Sequence, residues 1–388
     1  MNLKALLKPI ASLRLTVFCL GVGMVLIFAG TLEQVHLGIY AVQAKYFRSL
    51  LVLWEIPWLA IGGIQFGYIP LPGGYTLGTV LMVNLIAAHV SRFKLTWKKL
   101  GIFLIHIGII LLLAGELLTG LFARETRMVL DEGERSSYSE AERVVEMAIV
   151  DAKDDGYDKV VVIPERVLAK EGVTQHPHLP FEVHIRKFMG NSELVLNSDT
   201  PDPGLSPATT GLGVQMHAVE KERTGKPGEV DTTTVFAELR AGEKKLGTLL
   251  LSNGLRVEQS ITFDGRVFKM SLRRQRDYKP FALKLVDFTH DRYAGTDIPK
   301  NFSSLVEIDH PAAGSKREVL IYMNNPLRYG GFTFYQASFD NDDTRSILRV
   351  VKNPVWIVPY VACALVALGL FTQFGFHLLR FTASRSKK

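Results

Sequence analysis

The chain has 388 residues, 47% of them hydrophobic, and a formal net charge of +7. This length allows a membrane bundle together with one or two water-soluble domains. The only two cysteines, Cys19 and Cys363, both lie in apolar segments. The sequence therefore lacks a disulfide framework, a Cys-x-x-Cys thiol-reductase motif and a Cys-x-x-Cys-His site for covalent c-type haem.

Four segments are long and apolar enough to cross a bilayer, which takes about 20 residues. They are Leu15–Leu32, the part of residues 56–91 that begins near Tyr75, Leu100–Phe122, and Asn353–Leu379. The first segment is longer than a usual signal-peptide core and no small-x-small cleavage site follows it, so we interpret it as a retained anchor. The sequence therefore predicts four transmembrane helices.

Basic residues cluster in the first 14 residues, in the loop 92–99 and in the tail after residue 379. These segments hold 11 positive charges and no acidic residue, so removing them changes the net charge from +7 to −4. If the four helices alternate, all three segments lie on one side, which the positive-inside rule identifies as the cytoplasm. The basic balance is thus a topology signal and does not indicate nucleic-acid binding. We expect a multi-pass protein of the bacterial inner membrane with both termini in the cytoplasm.

The charge and hydropathy patterns predict three regions. Residues 1–122 form an N-terminal membrane region with three helices and an outer loop at 33–75, in which residues 50–59 suit the membrane interface because of their tryptophans and proline. Residues 123–352 form a periplasmic β-rich domain. Residues 353–388 form the fourth helix and a basic cytoplasmic tail.

Alternating apolar and polar residues indicate half-buried antiparallel strands in the large domain. The clearest alternations are at 144–150, 181–185, 268–272, 281–285 and 331–337. Turn residues at 252–254 and 263–265 are typical of hairpins. The predicted fold class is an integral membrane α-helical protein with a large extracytoplasmic mainly-β domain, built as a sandwich or an open barrel.

Three histidines lie near the predicted cytoplasmic ends of helices: His89, His106 and His377. Ionisable residues inside membrane helices usually face a bundle interior, and imidazole is a frequent axial ligand of haem iron. His89 and His377 lie within one turn of the helix ends and could equally be hydrated at the interface. His106 lies two turns inside and favours a buried role. Glu116 could serve a cofactor or proton path, or lie at the outer interface.

The segments 281–288, 293–295, 299–304 and 323–336 carry a pattern that ends in Asn-Asn-Pro-Leu-Arg-Tyr-Gly-Gly-Phe-Thr-Phe-Tyr-Gln. With the opening helix ending in Gly30-Thr31-Leu32 and the three-plus-one order of helices, this pattern resembles the ResB-like family, also called CcsB, of the System II cytochrome c biogenesis pathway. The resemblance extends over nearly the whole chain, and the 323–336 run is its most specific part.

This resemblance implies a subunit that works with CcsA, a haem-handling membrane protein, to move non-covalent haem b across the membrane. The haem is then attached to reduced Cys-x-x-Cys-His sites of apocytochrome c, and a thiol-reducing partner belongs to the pathway. The resemblance makes His89 the first candidate for the haem-iron ligand, His106 the second and His377 the third. No CcsA-type tryptophan cluster is present, so we expect one part of a holocytochrome c synthase that is inactive alone.

Residues of the 323–336 run could contact a partner or shape a chamber for haem, although turn formation and β packing explain most of them equally well. These residues are Asn325, Pro326, Tyr329, Tyr335 and Gln336. Two other functions stay open: a b-type electron-transfer subunit that keeps haem between paired histidines, for which His89 and His106 are the candidates because a short loop joins their helices, and a scaffold for CcsA that binds no haem.

Overall fold

The computed structural model describes residues 9–55, 60–61, 64–65, 67–92, 96–152, 158–197, 206–224, 229–255, 257–296, 299–339 and 344–385. The chain divides into two compact units. The first unit contains residues 1–123, 225–228 and 353–388, and the second contains residues 124–224 and 229–352.

Four long helices dominate the first unit: α1 (Leu13–Leu37), α2 (Gly74–Arg92), α3 (Leu100–Phe122) and α4 (Val358–Arg385). All four are long and apolar enough to cross a membrane. The sequence prediction of three helices, a large β region and one final helix is therefore confirmed. Helix α4 begins five residues later than predicted, after turns at 354–357.

The predicted loop at 33–75 is wrong at its start, because α1 continues past Glu33 to Leu37. The Glu33 carboxylate does not end the helix, since it accepts a hydrogen bond from Lys45 Nζ at 2.8 Å. Gly38, with φ 78°, ends it instead. A short helix at Ile39–Val42 and a π-helical turn at Gln43–Phe47 follow.

A β-hairpin occupies the remainder of this region. Strand β1 (Leu51–Glu55) pairs antiparallel with β4 (Tyr68–Pro72), and the two-residue strands β2 (Ala60–Ile61) and β3 (Ile64–Gln65) pair with each other. Residues 51–55 are therefore a strand, whereas the sequence predicts an interfacial segment over 50–59. Residues 56–59 lie outside the described residues.

Helices α1 and α2 are joined by a buried polar contact. Asn84, 4% exposed, accepts a hydrogen bond from Thr16 Oγ1 at 2.7 Å and donates to the carbonyl oxygen of Ser12 at 3.1 Å. A side-chain amide is favoured at such a position, because it satisfies backbone and hydroxyl groups that lipid cannot hydrate.

Helices α3 and α4 pack at close range along three glycines spaced seven residues apart. A Cβ atom at Gly101 would meet the carbonyl oxygen of Gly369 at 2.7 Å, and one at Gly108 would meet Val366 Cγ2 at 2.6 Å. At Gly115 it would meet Val358 Cγ1 at 2.8 Å. Small residues allow helix backbones to approach closely in a membrane, so this stripe fixes one face of α3 against α4.

The second unit is mainly β, as predicted. Its strands are β5 (Arg124–Asp131), β6 (Arg135–Asp151), β7 (Lys159–Pro164), β8 (Gly172–Thr174), β9 (Glu182–Met189), β10 (Ser192–Leu196), β11 (Met216–Glu220), β12 (Thr234–Ala241), β13 (Lys244–Ser252), β14 (Gln259–Phe263), β15 (Arg266–Arg292), β16 (Pro299–His310), β17 (Ser315–Tyr322), β18 (Leu327–Tyr329), β19 (Phe332–Phe339) and β20 (Arg345–Lys352). Short helical segments lie at Trp97–Lys99 in the first unit and at Glu165–Leu168, Gly211–Val214 and Pro311–Ala313 in the second.

Two large hydrophobic cores and a smaller one around Met189, Phe236 and Leu250 stabilise the described part of this β domain. One lies between the four-stranded sheet β13-β12-β9-β8 and the strands β6, β7 and β15, and it contains Met147, Leu239 and Phe268. In this part the domain is a sandwich. The other core draws on seven strands of the ten-stranded sheet, from β5 to β20, around Phe334 and Leu283, so this part of the sheet curls around its own core.

The two predicted hairpin turns have different outcomes. Asp264 and Gly265 have φ of 50° and 68° and join β14 to β15 as a two-residue hairpin. The turn at 252–254 leads out of β13, which pairs with β12, whereas β14 pairs with β15. The hairpin prediction at 252–254 is therefore wrong, because the turn residues redirect the chain to another sheet.

Candidate functional site

His89 on α2 and His106 on α3 lie against each other; we call these two residues the histidine pair. Their ring centroids are 4.9 Å apart and the planes cross at 78°, an edge-to-face contact. The ring of Phe103 lies 5.9 Å from that of His89 on the same side. Two of the three histidines predicted from the sequence thus come together in space.

Chain geometry explains this contact. Helices α2 and α3 are consecutive and joined by the short segment 93–99, so they run antiparallel. His89 lies three residues before the end of α2, and His106 lies six residues after the start of α3. Both side chains therefore lie near the same end of the helix pair, which we call the loop end. We call the opposite end, where α2 begins after β4 and α3 ends before Arg124, the strand end.

The faces of the two helices are set by their other neighbours. Asn84 directs one face of α2 to α1, and residue 89, five positions on, points about 140° away at 100° per residue. Gly108 directs one face of α3 to α4, and His106 points about 160° away from it. The histidine pair consequently occupies the groove between α2 and α3, which we call the α2–α3 groove.

Buried ring nitrogens of the histidine pair are of a type that binds metals. His106 Nδ1 is buried and has no hydrogen-bond partner among the described residues, and His89 Nε2 is buried as well. A buried polar atom without a partner is uncommon and points to a group that completes the site. Imidazole nitrogens are common ligands of haem iron, so these residues fit that group.

The spacing of the two rings limits how they could bind one iron atom. Imidazoles on opposite faces of a metal hold their ring centres about 6 Å apart, because each metal–nitrogen bond is about 2 Å. The observed 4.9 Å and the edge-to-face contact leave no room for a porphyrin between the rings. In this arrangement one histidine can bind iron while the other packs beside it.

His377 does not join this pair. It lies on α4, is exposed, and contacts Gln373 with 2.9 Å between the two Nε2 atoms. Within the described part of the chain it makes no hydrogen bond or ring contact with His89 or His106. Its role as a ligand stays a prediction.

Two of the predicted contact residues in the 323–336 run use their polar atoms inside the β domain. The Tyr329 hydroxyl lies 2.8 Å from His310 Nδ1, and its ring packs 4.9 Å from that of Phe281. Gln336 Oε1 accepts a hydrogen bond from Ser304 at 2.7 Å. These contacts join β16, β18 and β19.

The other predicted contact residues are more accessible. Asn325 pairs with Tyr322 in the tight turn after β17, and Pro326 follows it directly before β18. Tyr335 is 39% exposed. Of the five, Asn325 and Tyr335 therefore present the most surface to a partner, and that role stays a prediction.

Several residues of the helical unit were missed by the sequence reasoning. Asn84 stands inside an uncharged apolar run and draws no attention by charge. The glycine stripe on α3 has a visible signal, the seven-residue spacing of Gly101, Gly108 and Gly115. Such spacing is typical of close helix contacts and could have predicted which face of α3 His106 does not occupy.

Comparison with known proteins places the chain in a family. Residues 244–353 match the ResB-like family. Protein NrfI of Wolinella succinogenes is 30% identical over 292 residues, which are 75% of this chain and 29% of that protein. The chain belongs to the ResB-like family. It spans less than a third of this relative's length.

Proposed function

We propose that this ResB-like chain is a subunit of a System II cytochrome c maturation complex. With a CcsA-type partner, it moves haem across the membrane and supports its covalent attachment to Cys-x-x-Cys-His sites of apocytochrome c. The observation that carries the proposal is the contact between the two rings of the histidine pair in the α2–α3 groove, with His89 Nε2 and His106 Nδ1 buried. Haem b is cargo in this proposal and is held without a covalent bond.

The basic segments support an orientation for this transfer. The loop 92–99 adjoins the loop end of the α2–α3 groove, and by the positive-inside rule its four positive charges favour the cytoplasmic side for that end. The histidine pair would then receive haem on the side where it is made. The same rule puts the β domain on the periplasmic side of a bacterial inner membrane.

The chain's own residues would bind and orient the haem. His89 or His106 supplies one axial nitrogen, and the ring contact keeps the other from binding the same iron from the opposite face. The second axial ligand then comes from the partner subunit. Such shared ligation suits release, because separating the subunits removes one ligand.

Thioether formation needs reduced thiols on the apocytochrome. Each bond forms when a cysteine S–H adds across a haem vinyl group, with sulfur bonding one carbon and the hydrogen going to the other. This chain has no thiol pair to keep cysteines reduced, since Cys19 lies in α1 and Cys363 in α4 and both are free. A separate thiol-reducing partner is therefore part of the proposal.

The competing b-type electron-transfer function needs two histidines that bracket one haem. The 4.9 Å ring contact disfavours it. A scaffold that binds no haem would leave the buried His106 nitrogen unexplained.

One experiment tests all three functions. The full chain is expressed with and without a CcsA-type partner and a reporter apocytochrome c, as wild type, His89→Ala, His106→Ala and the control His178→Ala in the β domain. We expect haem in the complex and holocytochrome product to fall in one or both groove variants and to stay unchanged in the control. Stable, redox-active haem with a low-spin spectrum on the chain alone would support the b-type function, and unchanged haem in both groove variants would support the scaffold.

A further inference from the structure

A cavity of about 470 Å³ lies between α2 and α3 at their strand end. Its volume falls in the range of about 300–1,000 Å³ that is usual for small-molecule sites. Its walls are predominantly apolar, and Arg48 and Glu116 contribute charged groups. The histidine pair lies at the other end of the same two helices, so the mechanism proposed above does not use this cavity.

The cavity and the histidine pair belong to one groove. Met82 lies seven residues before His89, and Leu113 lies seven residues after His106; both line the cavity. Seven residues are about two turns, so each side chain lies on the same face as its histidine and about 10 Å toward the strand end.

A further two turns on, Tyr75 and Gly120 form the next facing pair. A Cβ atom at Gly120 would lie 3.9 Å from the Tyr75 hydroxyl. The histidine pair and the cavity therefore lie along the same facing sides of α2 and α3.

Glycine makes room in this cavity. Gly78 lines it, and a Cβ atom added there would meet no atom within 4 Å. Open space beside a helix that otherwise has packed neighbours suits a flat, apolar occupant.

The two charged side chains lie at different depths. Arg48 follows Phe47, whose backbone contacts the first turn of α2 at Gly74, so Arg48 lies at the rim. Glu116 lies six residues before the end of α3, about 9 Å inside at helical rise. Arg48 is exposed and forms no ion pair within the part of the chain that the structure describes. Guanidinium groups bind carboxylates with two parallel hydrogen bonds.

We propose that this cavity is a second haem site on the route from the histidine pair, with the porphyrin ring between α2 and α3 and a propionate at Arg48. The proposal rests on the proposed function, since it takes haem as the cargo. It assigns the cavity a ligand of stated chemistry: a planar apolar ring with carboxylates at one edge. A phospholipid chain, which also has an apolar body, is the competing occupant.

Metal-free protoporphyrin IX is the probe that isolates this site, because it needs no axial imidazole. Its saturable fluorescence change is measured with the full chain in lipid nanodiscs, against empty nanodiscs, in a His89→Ala/His106→Ala background. Gly78→Leu fills the cavity without a backbone clash. Gly23→Leu on α1, where an added Cβ also meets no atom within 4 Å, is the matched control.

We expect Gly78→Leu to weaken porphyrin binding at least about tenfold, because the leucine side chain would occupy the space of the porphyrin ring. Gly23→Leu should leave porphyrin binding unchanged. Arg48→Gln should weaken protoporphyrin IX about tenfold but leave its dimethyl ester, which has no carboxylate, unaffected. Equal binding in Gly78→Leu and Gly23→Leu would overturn the proposal and leave the cavity to lipid. Equal loss of the acid and the ester in Arg48→Gln would overturn the propionate contact.

These outcomes separate the second site from the function on which it rests. If the histidine variants abolish cytochrome c production while Gly78→Leu neither loses porphyrin nor lowers production, the second site is wrong and the proposed function stands. If Gly78→Leu loses porphyrin while the histidine variants mature cytochrome c normally, the cavity binds porphyrin and the proposed route through the histidine pair is wrong.

Discussion

The ring of His106 meets the ring of His89 edge to face, with 4.9 Å between the centroids. This contact follows from the antiparallel order of α2 and α3 and from the short segment that joins them. The two imidazoles lie together, but their ring centres are too close for both to bind one iron atom from opposite faces. Under the proposed function, this chain would supply one axial ligand and another subunit would supply the second.

Loss of the two histidines should therefore be non-additive. Under the proposed function a single one of them is the iron ligand, so we expect the His89→Ala/His106→Ala variant to lose no more haem than the more severe single variant. Haem on the chain alone should have a high-spin spectrum and become low-spin when the partner joins, as read by optical and electron paramagnetic resonance spectroscopy. Additive losses together with a low-spin spectrum on the chain alone would mean that the rings separate and hold haem between them.

The close packing of α3 against α4 should be sensitive to any side chain at the glycine stripe. In Gly108→Leu, the new Cβ would lie 2.6 Å from Val366 Cγ2 and 2.8 Å from the carbonyl oxygen of Ala362, so the helices must separate. Overpacking of this kind costs about 1–3 kcal/mol. We expect a lower thermal unfolding midpoint in detergent, followed by intrinsic fluorescence.

Gly375→Leu on α4 is the control for that substitution, because its Cβ would meet no atom within 4 Å. It adds the same apolar side chain to the same helix pair and should leave the midpoint unchanged. An equal fall in both variants would show that leucine itself, and not the loss of close approach, destabilises the bundle.

Much of this architecture could be predicted from local stretches of sequence, whereas the remainder depends on contacts between residues that are distant in sequence. Charge and hydropathy suffice for four spans, because each span is a local property of about 20 residues. The helix positions of His89 and His106 also suffice to predict a shared depth. The antiparallel order also suggests that the two could pair, but depth alone does not determine that they face each other, since the faces of α2 and α3 are set by Asn84 against α1 and by Gly108 against α4.

The β domain shows the same division. Period-two alternation predicts the strands around residues 268–272 and 281–285, because side chains alternate between two faces. It does not predict that both belong to one strand, β15, that runs from Arg266 to Arg292 and contributes to two cores. Which sheet a strand joins depends on long-range pairing. For that reason the turn residues at 252–254 led to a wrong hairpin prediction.

Glu238 predicts an acid-sensitive step in the stability of the β domain. Its carboxylate is 3% exposed and accepts hydrogen bonds from Arg186 at 2.7 and 3.1 Å and from Lys245 at 2.9 Å, with Arg240 also bonded. The hydrogen bonds from Arg186 hold the pKa of Glu238 far below its ordinary value, although burial opposes this shift.

A carboxylate with a lowered folded-state pKa stabilises the fold above its unfolded pKa of about 4.3, and this contribution is lost as the pH falls below that value. We expect Glu238→Gln to be less stable than wild type at pH 7, by about 1–3 kcal/mol, with the difference shrinking toward pH 3. Chemical unfolding of the full chain at several pH values measures this difference. A deficit that stays constant from pH 7 to pH 3 would mean that the charge of Glu238 contributes nothing.

Lys279 predicts the opposite kind of pH dependence. Lys279 is 6% exposed, and its ammonium group donates hydrogen bonds to Ser139 Oγ at 2.6 Å and to the carbonyl oxygen of Asp277 at 2.9 Å. Burial lowers the pKa of Lys279, and Lys352 lowers it further, while the Asp277 carboxylate at 3.7 Å opposes the shift. Lys352 Nζ lies 5.1 Å from the centroid of the Phe332 ring, which Lys279 Nζ approaches at 4.8 Å.

Because the folded-state pKa of Lys279 is lower than the unfolded value, the unfolded chain binds more protons between those two values, so stability rises with pH in that window. Wild type should therefore gain thermal stability relative to Lys279→Met as the pH increases toward about 10, the ordinary lysine pKa. The exposed Lys284→Met variant is the control, since it removes the same charge from the same strand without desolvation. The unfolding midpoints of both variants could instead change with pH in parallel with that of wild type. That result would mean that the burial of Lys279 does not govern this part of the pH profile.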